Sequence, residues 1–171
     1  MPYAVTHVLL TIIVLDLYRD HFLKNSKYFS LHTLLIGGIA GLLPDIDVPL
    51  GWVLDKFGYT LVHGSFTHTP WFASLFLIPA LIFLQRKDMK KAALYFVIAF
   101  GVFFHVFLDW FLGGGMHKGV MLLFPFSFTA YRLHLLHYFN LGSLAGAGID
   151  ALILLAWLWH EEVKHKINDF I

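Results

Sequence analysis

The chain has no cysteine, which excludes disulfides and thiolate ligation and leaves imidazole and carboxylate as its only strong metal ligands. Charge is scarce: 13% of residues are charged, against 58% hydrophobic and 18% aromatic. With a mean hydropathy of +0.72, these values exclude an ordinary soluble domain and point to a polytopic membrane protein. Neither sign of charge predominates, since 12 basic and 11 acidic residues give a net charge of +1. No field draws such a chain to nucleic acid, and no nucleic-acid partner is expected. The N-terminus lacks a positive region and a small-residue cleavage site, so it reads as a retained first helix rather than a signal peptide. Internal repeats and low-complexity segments are lacking too, and 171 residues suggest one domain.

What is there is a set of long apolar segments. A helix crossing the hydrocarbon core needs about 20 mostly apolar residues. Five segments come near that, roughly 3–18, 30–46, 70–85, 92–113 and 141–159, which predicts an all-α bundle of about five transmembrane helices. Thr69 and Pro70 read as the N-cap and first residue of the third. Arg19, Lys24, Lys27, Arg86, Lys87, Lys90, Lys91, Lys164 and Lys166 fall in alternate connections, against Lys56, Lys118 and Arg132 in the others. By the positive-inside rule the N-terminus lies outside and the C-terminus in the cytoplasm. The stretch between spans four and five, with its Pro-interrupted run 120–131 and a short amphipathic piece at 132–140, reads as an outer interfacial cap.

Four polar motifs stand out from this background: His7, Pro44-Asp45-Ile46-Asp47, His63-Gly64-Ser65-Phe66-Thr67-His68, and His105-Val106-Phe107-Leu108-Asp109. The topology places all four at the outer membrane face. His105 and Asp109 are four apart, so they share a helix face, and Gly101 and Gly113 extend that stripe with small residues suited to close helix packing. Asp45 and Asp47 would repel unless a cation or a shared proton separated them; an isolated Asp-x-Asp would read first as a capping turn at the water interface, and only its neighbours weigh against that. His63 and His68 could deliver two imidazoles to one ion, with Ser65 and Thr67 bonding their other nitrogens. His7 alone could be a buried, hydrogen-bonded histidine.

Other polar residues fit less well. Asp16 is nine residues beyond His7, about 180° around an ideal helix, and faces away from any site containing it. Asp150 lies on a stripe with Gly142 and Gly146 and suggests a buried hydrogen bond to a neighbouring helix. His117, His134 and His137 belong to the cap, and His21, His32, His160 and His165 to the inner side.

Four histidines and three aspartates can supply one ion or several with bridging carboxylates, and mixed imidazole and carboxylate ligation suits Zn, Mn or Fe better than Mg or Ca. Such ions activate water and stabilise phosphoryl transfer, so metal-assisted hydrolysis is the leading reaction class. Water would be the nucleophile, with Asp47 or Asp109 as the base. A haem protein with His7 and His105 as axial ligands, an ion or proton conduit, and a non-catalytic scaffold stand as alternatives.

The order of the motifs, with glycines and Pro125-Phe126 after the last, resembles the membrane-bound metal-dependent hydrolases that include the LexA-binding inner-membrane protein. The resemblance runs from His7 to about Phe126. It implies a hydrolase with one to three metal ions on His7, Asp45, Asp47, His63, His68, His105 and Asp109. It also implies a distant similarity to zinc-dependent phospholipase C and P1-type nucleases, and hence a phospholipid or other phosphoester substrate amid membrane lipids. The family turn usually reads like His-Arg-Gly-x-Thr-His-Ser, whereas Gly64 and Ser65 stand here at the Arg and Gly positions.

Overall fold

In a computed structural model, which describes residues 4–23, 27–113, 119–133, 135 and 143–165, the chain is all-α. Among the described residues six helices are complete: α1 (Ala4–Phe22), α2 (Leu31–Ala40), α3 (Asp47–Asp55), α4 (Pro70–Gln85), α5 (Met89–Phe111) and α6 (Ser143–His165). Single 3-10 turns at Pro44–Ile46 and Phe66–His68 precede α3 and α4.

Local chemistry sets several of these boundaries. Ser30 accepts from the Thr33 amide at the start of α2, and Asp88 does the same for Lys91 at the start of α5. At α4 the expected cap is present: Thr69 Oγ1 accepts from the Phe72 amide at 3.2 Å, and Pro70 takes the first position, where no amide proton is needed.

Helix α5 is the axis of the assembly, packing on α4, α2 and α1, while α6 packs on α1. Leu15, Leu31, Leu34 and Val97 form the buried apolar centre, with Phe29, Phe100 and Trp157 against it. Glycine lets the backbones approach. A Cβ at Gly101 would strike the carbonyl oxygen of Gly37, so α2 and α5 touch backbone to backbone at that point. The start of α1 and of α4 and the ends of α2 and α5 thereby lie together.

The expected spans are redrawn in places. Among the described residues only α5 is long and apolar enough to cross a membrane unaided. The segment 30–46 is not one helix. It breaks after Ala40, and Leu31–Ala40 passes the same test only jointly with Pro44–Asp55, at a bend of 42°. Helix α4 is apolar but shorter, α1 runs on through Asp16, Arg19 and Asp20, and α6 continues through Glu161, Glu162 and Lys164. In the stretch expected as a cap, Val120 pairs antiparallel with Tyr131, closing 119–133 into a loop. His117, His134, His137 and most of the amphipathic piece expected at 132–140 lie outside the described residues.

Candidate metal centre

Six of the seven expected residues bring ligand atoms to one place. His7 comes from the second turn of α1 and is fully buried, as are His68 beside α4 and His105 on α5. Asp109, one turn beyond His105, is buried between them. Asp45 enters from the turn after α2 with its side chain 30% exposed, and His63 from the loop before α4 with its own 12% exposed. Those two mark the open side of the cluster.

Distances show how the groups relate. His7 Nε2 lies 3.3 Å from Asp109 Oδ1, and His105 Nε2 lies 3.3 Å from Asp109 Oδ2. His68 Nε2 is 3.5 Å from Asp109 Oδ2 and 3.6 Å from Asp45 Oδ1, and His105 Nε2 is 3.5 Å from the same Asp45 oxygen. An imidazole and a carboxylate in direct charge-assisted contact would close to about 2.7–2.9 Å. Two ligands about 2.0–2.1 Å from one tetrahedral ion lie about 3.3–3.4 Å apart. The separations follow the second pattern. Asp45 Oδ1, His68 Nε2, His105 Nε2 and both Asp109 oxygens, all buried, have no hydrogen-bond partner among the described residues. Such groups are costly to bury unless something satisfies them.

Two groupings emerge, His7 with His105 and Asp109, and Asp45 with His63 and His68, the ligand atoms within each lying within 4.8 Å of one another. Asp45 and Asp109 each reach histidines of the other grouping, so the set can hold one ion or two with shared carboxylates.

Asp47, expected as a ligand, is placed differently. It heads α3, and both its oxygens are engaged by the protein. Oδ1 accepts from His63 Nδ1 at 2.7 Å, and Oδ2 accepts from the Gly64 amide at 3.3 Å and from Thr67 Oγ1 at 3.1 Å. Thr67, having donated its proton to Asp47, accepts from His68 Nδ1 at 3.1 Å. These bonds put the protons of His63 and His68 on Nδ1 and leave Nε2 as the basic nitrogen of each ring. A carboxylate in this position orients the two imidazole rings. Burial disfavours a charged His68 ring, yet the carboxylates of Asp109, Asp45 and Asp47 outweigh burial and push its pKa up to about 10.

Gly64 has a structural reason of its own. Its φ is +83°, and a Cβ there would lie 3.0 Å from the Gly119 carbonyl oxygen, so the loop 119–133 seats directly on it. Met121 donates its amide to Gly64 O at 2.8 Å and completes the contact. Ser65, expected to bond a ligand, instead donates to the Val62 carbonyl.

Away from this centre, Thr6 donates to the Asp150 carboxylate at 2.8–2.9 Å, which is the helix-to-helix hydrogen bond expected of Asp150. Asp16 stands apart from His7 as helical phase requires. It takes part in a second buried cluster not foreseen from sequence: Arg19 Nη2 is 2.7 Å from Asp16 and 3.8 Å from Glu161, and Trp157 Nε1 donates to Asp16 at 3.2 Å. Lys164 and His160 reach Asp20 at 2.7 and 3.6 Å. The recurrence of charge at Asp16, Arg19 and Asp20, on one stretch of α1, was the available signal.

An all-helical chain built on an apolar axis, with imidazoles and carboxylates converging inside it, fits the class of helical membrane proteins. The model of the YdjM inner membrane protein family matches residues 1–167, and the chain belongs to that family. No curated protein and no solved structure matches it.

Proposed function

We propose that the chain is a multi-pass, membrane-embedded metal-dependent hydrolase acting on a phosphoester, with zinc the best-fitting ion and manganese or iron the other candidates. The observation that carries this reading is the 3.3–3.6 Å spacing of Nε2 and carboxylate oxygens among His7, His68, His105, Asp45 and Asp109, beside a contact of 2.7 Å between His63 and Asp47. Those five residues and His63 would hold the metal, and Asp47 would orient His63 and His68. When bound, the metal would supply Lewis acidity and bring the pKa of water towards neutrality.

The protein's own groups supply the rest. Burial of His7, His105 and Asp109 keeps the inner side dry, so charge developing on a reacting phosphoryl group would meet a weakly screened field. Asp45, the partly exposed carboxylate, lies where a proton from water could be taken up. The site would face outward, with the N-terminus outside and the C-terminus in the cytoplasm, because the basic residues gather at the opposite ends of the helices.

The alternatives fit less well. The His7 and His105 rings stack at 4.0 Å, an arrangement unsuited to axial ligands on opposite faces of a haem. A conduit would have to join the metal centre to the Asp16 cluster, but the α1 segment between them buries Leu9, Ile12 and Leu15.

Elemental analysis of detergent-purified protein tests the proposal, with at least one zinc, manganese or iron per chain expected, and hydrolysis of a phosphodiester such as bis-p-nitrophenyl phosphate alongside it. A gently prepared protein with no bound metal that takes none up on titration would overturn it.

A further inference from the structure

The proposed centre holds carboxylates and imidazoles but no lysine or arginine: every ion pair found among its residues has histidine as the cation. An anionic phosphoester brings oxygens beyond those an ion can bind, and these need a fixed cation nearby. Among the described residues the sequence offers two at this end of the molecule, Lys56 just past α3 and Arg132 in the loop 119–133.

Arg132 is the better placed. The backbone on either side of it is pinned, Tyr131 by two bonds with Val120 at 2.9 and 3.0 Å and Leu133 by a 2.8 Å bond to the carbonyl of Trp110. Trp110 directly follows Asp109 on α5. On the other side, Gly119 lies so close that a Cβ there would come within 3.1 Å of Arg132 Cβ, and Gly119 itself rests on Gly64, next to His63. Two glycines of positive φ, Gly64 at +83° and Gly119 at +117°, permit that stacking. The side chain is nonetheless exposed, and among the described residues it has no ion-pair or hydrogen-bond partner, whereas Arg19 is buried among carboxylates. Arg132 thus stands in a pinned loop that rests on Gly64, next to His63, and among the described residues its exposed guanidinium has no partner.

We infer that Arg132 is the substrate-anchoring residue of this site, receiving the phosphate oxygens of a phosphoester at the open side of the cluster. Its planar fork matches two phosphate oxygens at once, which an ammonium cannot do. The inference rests on the metal-centre reading. The phosphate could belong to a lipid headgroup or to a soluble ester.

The test uses the full chain, loaded with zinc in phosphatidylcholine nanodiscs and titrated with inorganic phosphate by calorimetry. Arg132→Gln should weaken phosphate binding by about tenfold or more and Arg132→Lys by less, both at unchanged zinc content. Lys56→Gln should leave the affinity as it is. A second arm adds phosphatidic acid to the nanodiscs. Weaker apparent phosphate binding by the native chain but not by Arg132→Gln would identify a lipid headgroup as the source, and equal binding a soluble phosphate. Unchanged affinity in zinc-loaded Arg132→Gln and Arg132→Lys, or an equal loss in Lys56→Gln, would overturn the assignment while leaving the metal centre standing. Failure of the native chain to take up zinc would remove the metal centre itself and the anchoring role with it.

Discussion

Asp47 Oδ1 accepts a 2.7 Å hydrogen bond from His63 Nδ1, while the other oxygen of the same carboxylate lies 3.3 Å from His68 Nδ1. One buried carboxylate therefore fixes the rotation of two rings whose Nε2 atoms are the basic ones. Asp47→Asn keeps the shape but weakens both interactions, and metal affinity should fall about 10–100-fold, as it does when a partner behind the ligands is lost. Asp45→Ala or His105→Ala, each removing a proposed ligand, should lower metal content outright. Competition titration with a chromogenic chelator separates the two behaviours. Equal affinity in Asp47→Asn and the native chain would remove Asp47 from the site.

The pH dependence follows from His68. Its pKa in the folded, ion-free protein is raised to about 10 from an ordinary 6.5, so the folded state holds a proton that the unfolded state releases between those values. Stability from this group is fully present below pH 6.5 and is lost as pH rises towards 10. Thermal melting of the chelator-treated protein should therefore decline across that window. Zinc should cancel the decline by displacing the proton, and its uptake should release protons to the buffer. A chelator-treated protein whose melting temperature rises across the window would contradict the assignment.

Much of the centre was legible because helical phase is rigid. A spacing of four on an apolar helix is enough to put His105 and Asp109 together, and nine residues are enough to turn Asp16 away from His7. The Thr69-Pro70 start of α4 was equally local. What was not legible depended on pairings across the chain. Nothing in the run after Pro44 reveals that Asp45 turns towards His68 and His105 while Asp47 begins a new helix and turns to His63. The contact of loop 119–133 with Gly64 is likewise invisible until both glycines are seen to stack. The Asp16 cluster was missed because its cohesion comes from α6, more than 130 residues away in sequence.

Gly101 supplies a packing test. Because a Cβ there would meet the Gly37 carbonyl, which is backbone and cannot turn aside, Gly101→Ala must push α2 from α5. The cost should be about 1–3 kcal/mol, as for other overpacked sites. Since α2 leads to Asp45 and α5 carries His105, metal affinity should fall along with the melting temperature in detergent. Gly58→Ala, in open space, should leave packing undisturbed and pay only for its φ of +80°.

Arg19 separates structure from chemistry. It lies 2.7 Å from Asp16, 3.1 Å from Asp20 and 3.8 Å from Glu161, all nearly or fully buried, so it compensates carboxylates from both α1 and α6. Arg19→Met would keep the volume and remove the charge, leaving those acids to repel one another, at a cost of about 3–5 kcal/mol. Helix α6 packs on α1, and among the described residues this cluster ties the two together, as does Thr6 with Asp150. Protease sensitivity of α6 should consequently rise in Arg19→Met. His7 lies twelve residues away, about 18 Å along the helix, and contacts Asp109 and His105 of α5, so metal stoichiometry should be retained. A variant that lost its metal while keeping α6 protected would mean the two clusters are coupled through α1.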